Sequence, residues 1–126
     1  MTSKRDVGTI LYGADDQTPP RRSREELVLE VGNKVNSGAM VTAGATAGSV
    51  KAWAVGDPWG GIVMWDTDAT DAAKRVAVVV RECTVLRQGA LAIALEDNPA
   101  ATIANIDAWI ATFPTDVLVR ESIDPQ

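Results

Sequence analysis

The run from Arg75 to Arg81 constrains the fold of this chain more than any other feature of its sequence. Its interior reads Val-Ala-Val-Val-Val, with an arginine at each end. Because β-branched side chains suit a pleated strand better than a helix, the run predicts a strand. Its five apolar residues are far fewer than the roughly 20 that a membrane-spanning helix needs, so we expect no membrane partner.

Similar short apolar segments, separated by turns rich in glycine, asparagine and proline, follow one another from Glu25 onward. In the first of them, Leu27, Leu29 and Val31 alternate with polar or smaller residues, which predicts a strand with one buried face. The segment 62–65 is apolar at every position and predicts a central strand. Segments 39–42, 49–55 and 116–120 are read as strands too, and 82–86 either continues the strand before it or turns into a neighbouring one.

Only one helix is predicted, late in the chain. Asn98 followed by Pro99 is typical of a helix N-cap and first helical position. The apolar residues after them recur at intervals of three or four, as on one face of a helix: Ile103, Ile106, Ile110 and Phe113. Arg87-Gln88-Gly89 is predicted to break the preceding run. The sequence therefore predicts an α+β fold that is mostly β, a compact β-rich domain with one late short helix and a flexible N-terminal arm.

The arm is predicted over residues 1–24, which carry five basic and three acidic residues, and the β-rich domain over 25–126. With few apolar residues and the pair Pro19-Pro20, the arm buries too little surface to offset the entropy of ordering it. One island within it, Thr9, Ile10, Leu11 and Tyr12, has the composition of a strand. We expect this island to pair with a sheet edge of another chain; a tail without a role is the alternative.

The basic residues at the end of the arm are Arg21, Arg22 and Arg24. They favour contact with an acidic protein surface, and a simply solvated run is the alternative. The whole chain has a net charge of −5, which makes it a poor partner for nucleic acid or an anionic membrane. No apolar stretch stands near the first residue, so no signal peptide is predicted and we expect a soluble protein made in the cytosol.

The absence of histidine and the presence of a single cysteine exclude several kinds of chemistry. A Ser-His-Asp or Cys-His pair, a His-ligated metal and a disulfide within the chain are all ruled out. Cys83 lies in an apolar run and is interpreted as a buried small hydrophobic residue rather than a nucleophile. No enzymatic activity and no cofactor are predicted.

Three aspartates, Asp66, Asp68 and Asp71, are the strongest candidates for a metal site or for carboxylate-based hydrolysis. A calcium loop needs glycine at its sixth position and glutamate at its twelfth, and this loop has neither. Hydrolysis needs two carboxylates facing one cleft, which crowding in one loop disfavours. The cluster is therefore interpreted as a solvated turn, with no metal.

Trp53, Trp59 and Trp65 stand six residues apart. If exposed, they are suited to stacking on a carbohydrate or another ligand; the alternative is packing in the core or between subunits. Trp59 lies in the turn Asp57-Pro58-Trp59-Gly60, where one small subunit has little to cover it. We therefore expect Trp59 to contact another subunit or a partner.

Four segments stand in an order that matches a known family. Ser23–Leu29 and then 36–41 are similar to its S-R-E…V-T-L…N-L-x-x-G-T-V-L opening, and Gly61-Ile62-Val63 before an aspartate-containing loop is similar to its G-I-L. The run 76–86 is similar to V-x-V-L-V-R, and 117–121 to the closing L-G-I-V-V-R. Together they resemble the lambda-type bacteriophage head decoration proteins, which stabilise capsids. Where that family commonly has a glycine after the arginine of the third segment, this chain has Glu82.

The resemblance, which runs from about Arg22 to Glu121, implies a structural role. Proteins of this family form homotrimers on local threefold axes of the expanded head, on the outer surface of the virion. Their N-terminal arms pair with strands of the major capsid protein and so hold the shell against the pressure of packaged DNA. A surface-displayed module that binds carbohydrate through its tryptophans is the alternative function.

Overall fold

The computed structural model describes residues 10–12 and 24–121, and the valine-rich run forms one of its longest strands. The elements follow in the order β1 (Leu11–Tyr12), β2 (Arg24–Leu29), β3 (Asn33–Val35), β4 (Met40–Ala43), β5 (Ser49–Ala52), β6 (Gly61–Val63), β7 (Thr67–Ala69), β8 (Lys74–Val79), β9 (Cys83–Leu86), α1 (Arg87–Asp97), α2 (Ile103–Ile110) and β10 (Val117–Arg120). The prediction of a mostly β fold is confirmed.

Five strands close into a barrel in the order β2-β5-β4-β6-β8, and β3 pairs with β7 as a two-stranded ribbon. Neighbours in the barrel are antiparallel except β2 and β5. Alternate residues of the strands share one face, and this produces a cluster of small buried aliphatic residues, here called the barrel cluster: Leu29, Val35, Ala39, Val41, Val50, Val63, Ala69, Val76 and Val78.

A second sheet, here called the outer sheet, has the order β1-β9-β10. With α1 and α2 it builds a second buried cluster, the outer cluster, which contains larger side chains: Ile10, Met40, Trp53, Ile62, Met64, Val79, Cys83, Val85, Ala90, Ile93, Ala94, Ala101, Ile106, Trp109 and Val117. The outer cluster therefore joins the helices, the outer sheet and one wall of the barrel.

That shared wall consists of β4, β6 and β8. Along each of these strands, one residue belongs to the barrel cluster and its neighbour to the outer cluster, because successive side chains point to opposite faces. Three neighbouring pairs divide in this way: Val41 and Met40, Val63 and Ile62, Val78 and Val79. One set of strands thus supports both buried regions.

The predicted number of helices is wrong, because the described residues contain two helices rather than one. α1 begins at Arg87, where Arg87-Gln88-Gly89 was expected to break the chain. No side-chain N-cap, acidic first turn or basic last turn marks this helix. It buries Ala90, Ile93 and Ala94 in the outer cluster. Tertiary packing therefore outweighs the cost of Gly89 inside the helix.

The late helix exists, but it begins at Ile103 rather than at Asn98 or Pro99. Thr102 is its N-cap: its side chain accepts a hydrogen bond from the backbone N–H of Asn105 (3.3 Å), while Asn105 Oδ1 accepts one from the Thr102 N–H (2.8 Å). This reciprocal capping box satisfies two N–H groups of the first turn. Asn98 instead closes α1, since its N–H donates to Ala94 O.

Candidate interaction surface on the outer sheet

β1 places part of the predicted arm on the domain itself. Leu11 pairs with Val85 and Tyr12 with Thr84, antiparallel to β9. The Leu86 N–H donates to Ile10 O at 2.6 Å, and Ile10 is fully buried in the outer cluster. The strand character of the island is therefore found in the structure. The expectation of a flexible arm is wrong for residues 10–12, because the burial of Ile10 and the ladder with β9 hold them in place.

The other arm residues that were predicted to bind a partner are not part of β1. Thr9, Arg21 and Arg22 lie outside the described residues. Arg24 is the first residue of β2, where it stands opposite Val79 and is half-buried.

β10 forms the opposite side of the outer sheet. It runs parallel to β9, with Val117 opposite Cys83 and Arg120 opposite Leu86. Val117 is buried, but Leu118 is 60% exposed and Val119 is 40% exposed. Among the described strands, β9 alone pairs with β10 and with β1. Both sides of the outer sheet are therefore edges, and the β10 edge carries apolar side chains that water reaches.

An ion cluster ties the end of β10 to the two helices. The Arg87 guanidinium contacts Asp107 through two hydrogen bonds of 2.8 and 3.1 Å, and Glu121 through a third of 3.0 Å. The Gln88 N–H also donates to Glu121 O. The bond from Arg87 lowers the pKa of the Asp107 carboxyl below its usual 3.8. These contacts hold α1, α2 and the residue after β10 together at the surface.

Trp59 is packed within its own subunit, so the argument that its turn leaves it uncovered is wrong. Its ring lies 4.7 Å from that of Phe113 and 5.7 Å from that of Trp109, centroid to centroid. Its indole N–H donates to Val80 O (3.2 Å), and its backbone N–H donates to Thr112 Oγ1 (2.8 Å). Residues of α2 and of the segment just after it supply this cover, which the local sequence around the turn does not reveal. The side chain remains only half-buried, so its contact with a partner stays a prediction.

Trp109 is the centre of this aromatic group, and the predicted helix face of Ile103, Ile106, Ile110 and Phe113 did not include it. It is 1% exposed, and the rings of Trp53, Trp59 and Phe113 surround it. Its indole N–H has no hydrogen-bond partner within residues 10–12 and 24–121. The spacing of Trp109 three residues after Ile106 was the signal that could have identified it as core.

The three tryptophans considered for ligand stacking do not share one surface. Trp53 is buried in the outer cluster and its N–H donates to Asp57 O at 2.7 Å. Trp59 is half-buried, whereas Trp65 is 55% exposed. A planar platform of three exposed rings is therefore not formed.

Two carboxylates of the aspartate loop accept hydrogen bonds from nearby residues. Asp66 Oδ1 accepts from the Ser37 N–H (2.8 Å), and Asp68 Oδ1 accepts from the N–H and hydroxyl of Thr70 (2.9 and 2.6 Å). The bonds from Thr70 lower the pKa of the Asp68 carboxyl. In the described part of the chain, no three acidic or thiol side chains, Asp71 included, are grouped to hold a metal ion.

Two further features complete the surface. Burial raises the pKa of the Cys83 thiol to about 12. Cys83 is buried in the outer cluster, which agrees with its interpretation as a hydrophobic residue. A groove of about 360 Å³ lies beside β3 and the end of α1, with Lys34, Glu96 and Asp97 in its lining.

Neither the protein-family models nor the curated proteins include a match to this chain. No helix in residues 10–12 and 24–121 has the length and apolar character to cross a membrane.

Proposed function

We propose that this protein is a bacteriophage head decoration protein. In this proposal it binds the expanded capsid as homotrimers at local threefold axes and stabilises the shell against DNA pressure. Its N-terminal segment pairs with strands of the major capsid protein, it acts without enzymatic activity or a cofactor, and its location is the outer surface of the virion.

The observation that carries the proposal is the position of β1 at an edge of the outer sheet. A strand with one paired side presents backbone N–H and C=O groups on its other side, which another chain can extend by strand addition. Ile10 anchors β1 in the outer cluster, so the position of this edge on the domain is defined. A strand of the capsid protein can therefore add to a rigid edge without ordering the whole arm.

The backbone at Glu82 supports the resemblance on which the proposal also rests. Glu82 has φ of 53°, and it is the one non-glycine residue with positive φ among the described residues. This left-handed conformation favours glycine, the residue that the family commonly carries at this position. The chain turns there from β8 of the barrel to β9 of the outer sheet.

A trimer would bind the shell more tightly than a single subunit, because it makes the same modest contact three times. Two residues of β1 pair with β9, so an added strand of similar length makes few main-chain hydrogen bonds. Three such contacts from one trimer raise the overall affinity by the effective concentration of the second and third arms. Trp59 and the exposed apolar residues remain candidates for contacts within the trimer or with the shell.

Carbohydrate binding through tryptophans is less well supported, because Trp53 is buried and Trp65 alone among the three is more than half exposed. A Trp65→Ala variant tests this alternative directly. Loss of glycan binding in that variant, with capsid binding unchanged, would favour the carbohydrate function over the proposal.

Co-sedimentation with purified expanded and unexpanded shells tests the proposed function. We expect the full chain to sediment with expanded shells as a trimer. Removal of residues 1–12 should abolish this binding. Removal of residues 1–9 keeps Ile10 and β1, so comparison of the two variants separates the contribution of β1 from that of the residues before it.

Val31→Lys is the matched control, because Val31 is exposed in the turn between β2 and β3 rather than on the outer sheet. The melting temperature of each variant reports whether the loss of Ile10 from the core unfolds the domain. Folded protein lacking residues 1–12 that binds expanded shells as the full chain does would contradict the role of the arm.

A further inference from the structure

The ladder between β1 and β9 fixes the direction in which each backbone group of β1 points. The Leu86 N–H donates to Ile10 O at 2.6 Å. Leu11 and Tyr12 stand opposite the two residues before Leu86, in an antiparallel register. In an antiparallel pair, positions that exchange hydrogen bonds alternate with positions that do not. Ile10 and Tyr12 therefore direct their N–H and C=O groups to β9, whereas the N–H and C=O of Leu11 point away from β9.

Leu11 is thus the residue of β1 whose two main-chain groups are directed to the outer side of the sheet. Among the described strands, β1 pairs with β9 alone. Strand addition uses the N–H and C=O groups on the side of a strand that its first partner does not bond. The alternation along β1 therefore singles out one position for contact with a partner strand.

We propose that Leu11 forms the hydrogen-bonded pair with an incoming strand of the major capsid protein. This inference rests on the proposed function and adds to it the residue that makes the contact. The added strand is antiparallel, because antiparallel pairing is the more stable per residue and lets Leu11 exchange both bonds with one facing residue. That capsid residue is not proline, since its own N–H donates to Leu11 O.

The packing around Leu11 prepares its backbone for this contact. Ile10, the residue before it, is fully buried in the outer cluster. Val85, which stands opposite Leu11 on β9, is fully buried as well. Tyr12, the residue after it, is paired with β9. The backbone of Leu11 is therefore ordered before a partner arrives, which lowers the entropy cost of adding a strand.

Proline at position 11 tests this assignment in the full-length protein. Leu11→Pro removes the N–H that points away from β9, and an edge strand tolerates proline where its N–H faces outward. Leu11→Ala is the matched control, because it shortens the side chain but keeps the N–H. We expect both variants to melt at the same temperature. Co-sedimentation with expanded shells should be roughly tenfold or more weaker for Leu11→Pro than for Leu11→Ala, since each subunit loses one main-chain hydrogen bond.

Tyr12→Pro should behave in the opposite way, because the N–H of Tyr12 points to β9. Its melting temperature should fall below that of Tyr12→Ala. Equal shell binding by Leu11→Pro and Leu11→Ala would overturn the assignment and leave the proposed function in place. So would a fall in melting temperature for Leu11→Pro as large as that for Tyr12→Pro, because it would show that the Leu11 N–H is bonded within the domain. Failure of the wild type to bind expanded shells would contradict the proposed function, and this inference with it.

Discussion

The barrel cluster and the outer cluster are built from different kinds of side chain. The barrel cluster consists of alanine, valine and leucine from alternating strand positions. The outer cluster contains two tryptophans, two methionines and several isoleucines drawn from strands, helices and loops. A regular scaffold is therefore filled by small repeating residues, whereas a junction between different elements needs large side chains of varied shape.

The two clusters are not separate units, because they share the wall of β4, β6 and β8. Each of these strands contributes adjacent residues to both clusters. Loss of packing on one side of the wall therefore disturbs the strand that supports the other side. We expect the domain to unfold in a single cooperative transition.

The largest effect is expected from Trp109→Ala, which removes the central ring of the outer cluster. Trp109 is almost fully buried, so we expect a loss of about 3–5 kcal/mol in the free energy of unfolding. Denaturant unfolding followed by far-UV circular dichroism measures this loss. The control Trp65→Ala removes an exposed ring and should cost far less; equal losses would show that Trp109 is not central to stability.

Adjacent valines on β8 test the shared wall more directly. Val78→Ala opens space in the barrel cluster and Val79→Ala in the outer cluster, and each should cost about 2 kcal/mol. Circular dichroism reports the whole chain, whereas tryptophan fluorescence reports mainly the outer cluster, where Trp53 and Trp109 lie. Both probes should shift together in both variants. Separate transitions, with Val78→Ala moving only the dichroism signal, would contradict cooperative unfolding.

Glu82→Gly alters the joint where the chain passes from the barrel to the outer sheet. Glycine adopts the φ of 53° found at Glu82 without the strain of a side chain, but it loses more entropy on folding. We expect a net gain of up to about 1 kcal/mol. The measurement is the midpoint of chemical denaturation, with Glu82→Ala as the control that keeps a Cβ atom. Destabilisation by glycine greater than that by alanine would refute the strain at this joint.

The smallest effect concerns the surface ion cluster, which stabilises only the outer region. Arg87 lowers the pKa of Asp107 below 3.8 in the folded protein. The contribution of this ion pair to the free energy of unfolding is therefore present above the pKa that Asp107 has in the unfolded chain, and it is lost as pH falls through the lower pKa of Asp107 in the folded protein. Asp107→Asn should therefore flatten the acid end of the profile of melting temperature against pH. Arg87→Gln should flatten it similarly, and the double variant should add little; an unchanged profile in Asp107→Asn would exclude this contribution.

Local patterns predicted the barrel better than the outer region. The alternation around Leu29 and the valine-rich run at β8 each correspond to a strand found in the structure. α1 was missed because Gly89 interrupts its first turn and no side chain caps it. The beginning of α2 was misplaced because Asn98-Pro99 looks like a start, whereas Thr102 and Asn105 form the capping box.

The candidate surface was predicted only in part. The composition of residues 9–12 indicated a strand, and β1 is found there. That β1 pairs with β9 of the same chain depends on the burial of Ile10 among residues far away in sequence. The exposure of Leu118 could not be predicted from the sequence, because a run of apolar residues has the same pattern in a central strand as in an edge strand.

By itself, the sequence determined that this chain is mostly β and that it has neither histidine nor a second cysteine for the chemistry those residues support. These properties follow from residue type and from spacing of two to four positions. Only the tertiary structure decided that Trp59 is covered by Phe113 and Trp109, that α1 forms, and that β1 and β10 are the two edges of one sheet. The physical reason is that burial and strand pairing join residues distant in sequence, so their outcome depends on which surfaces meet.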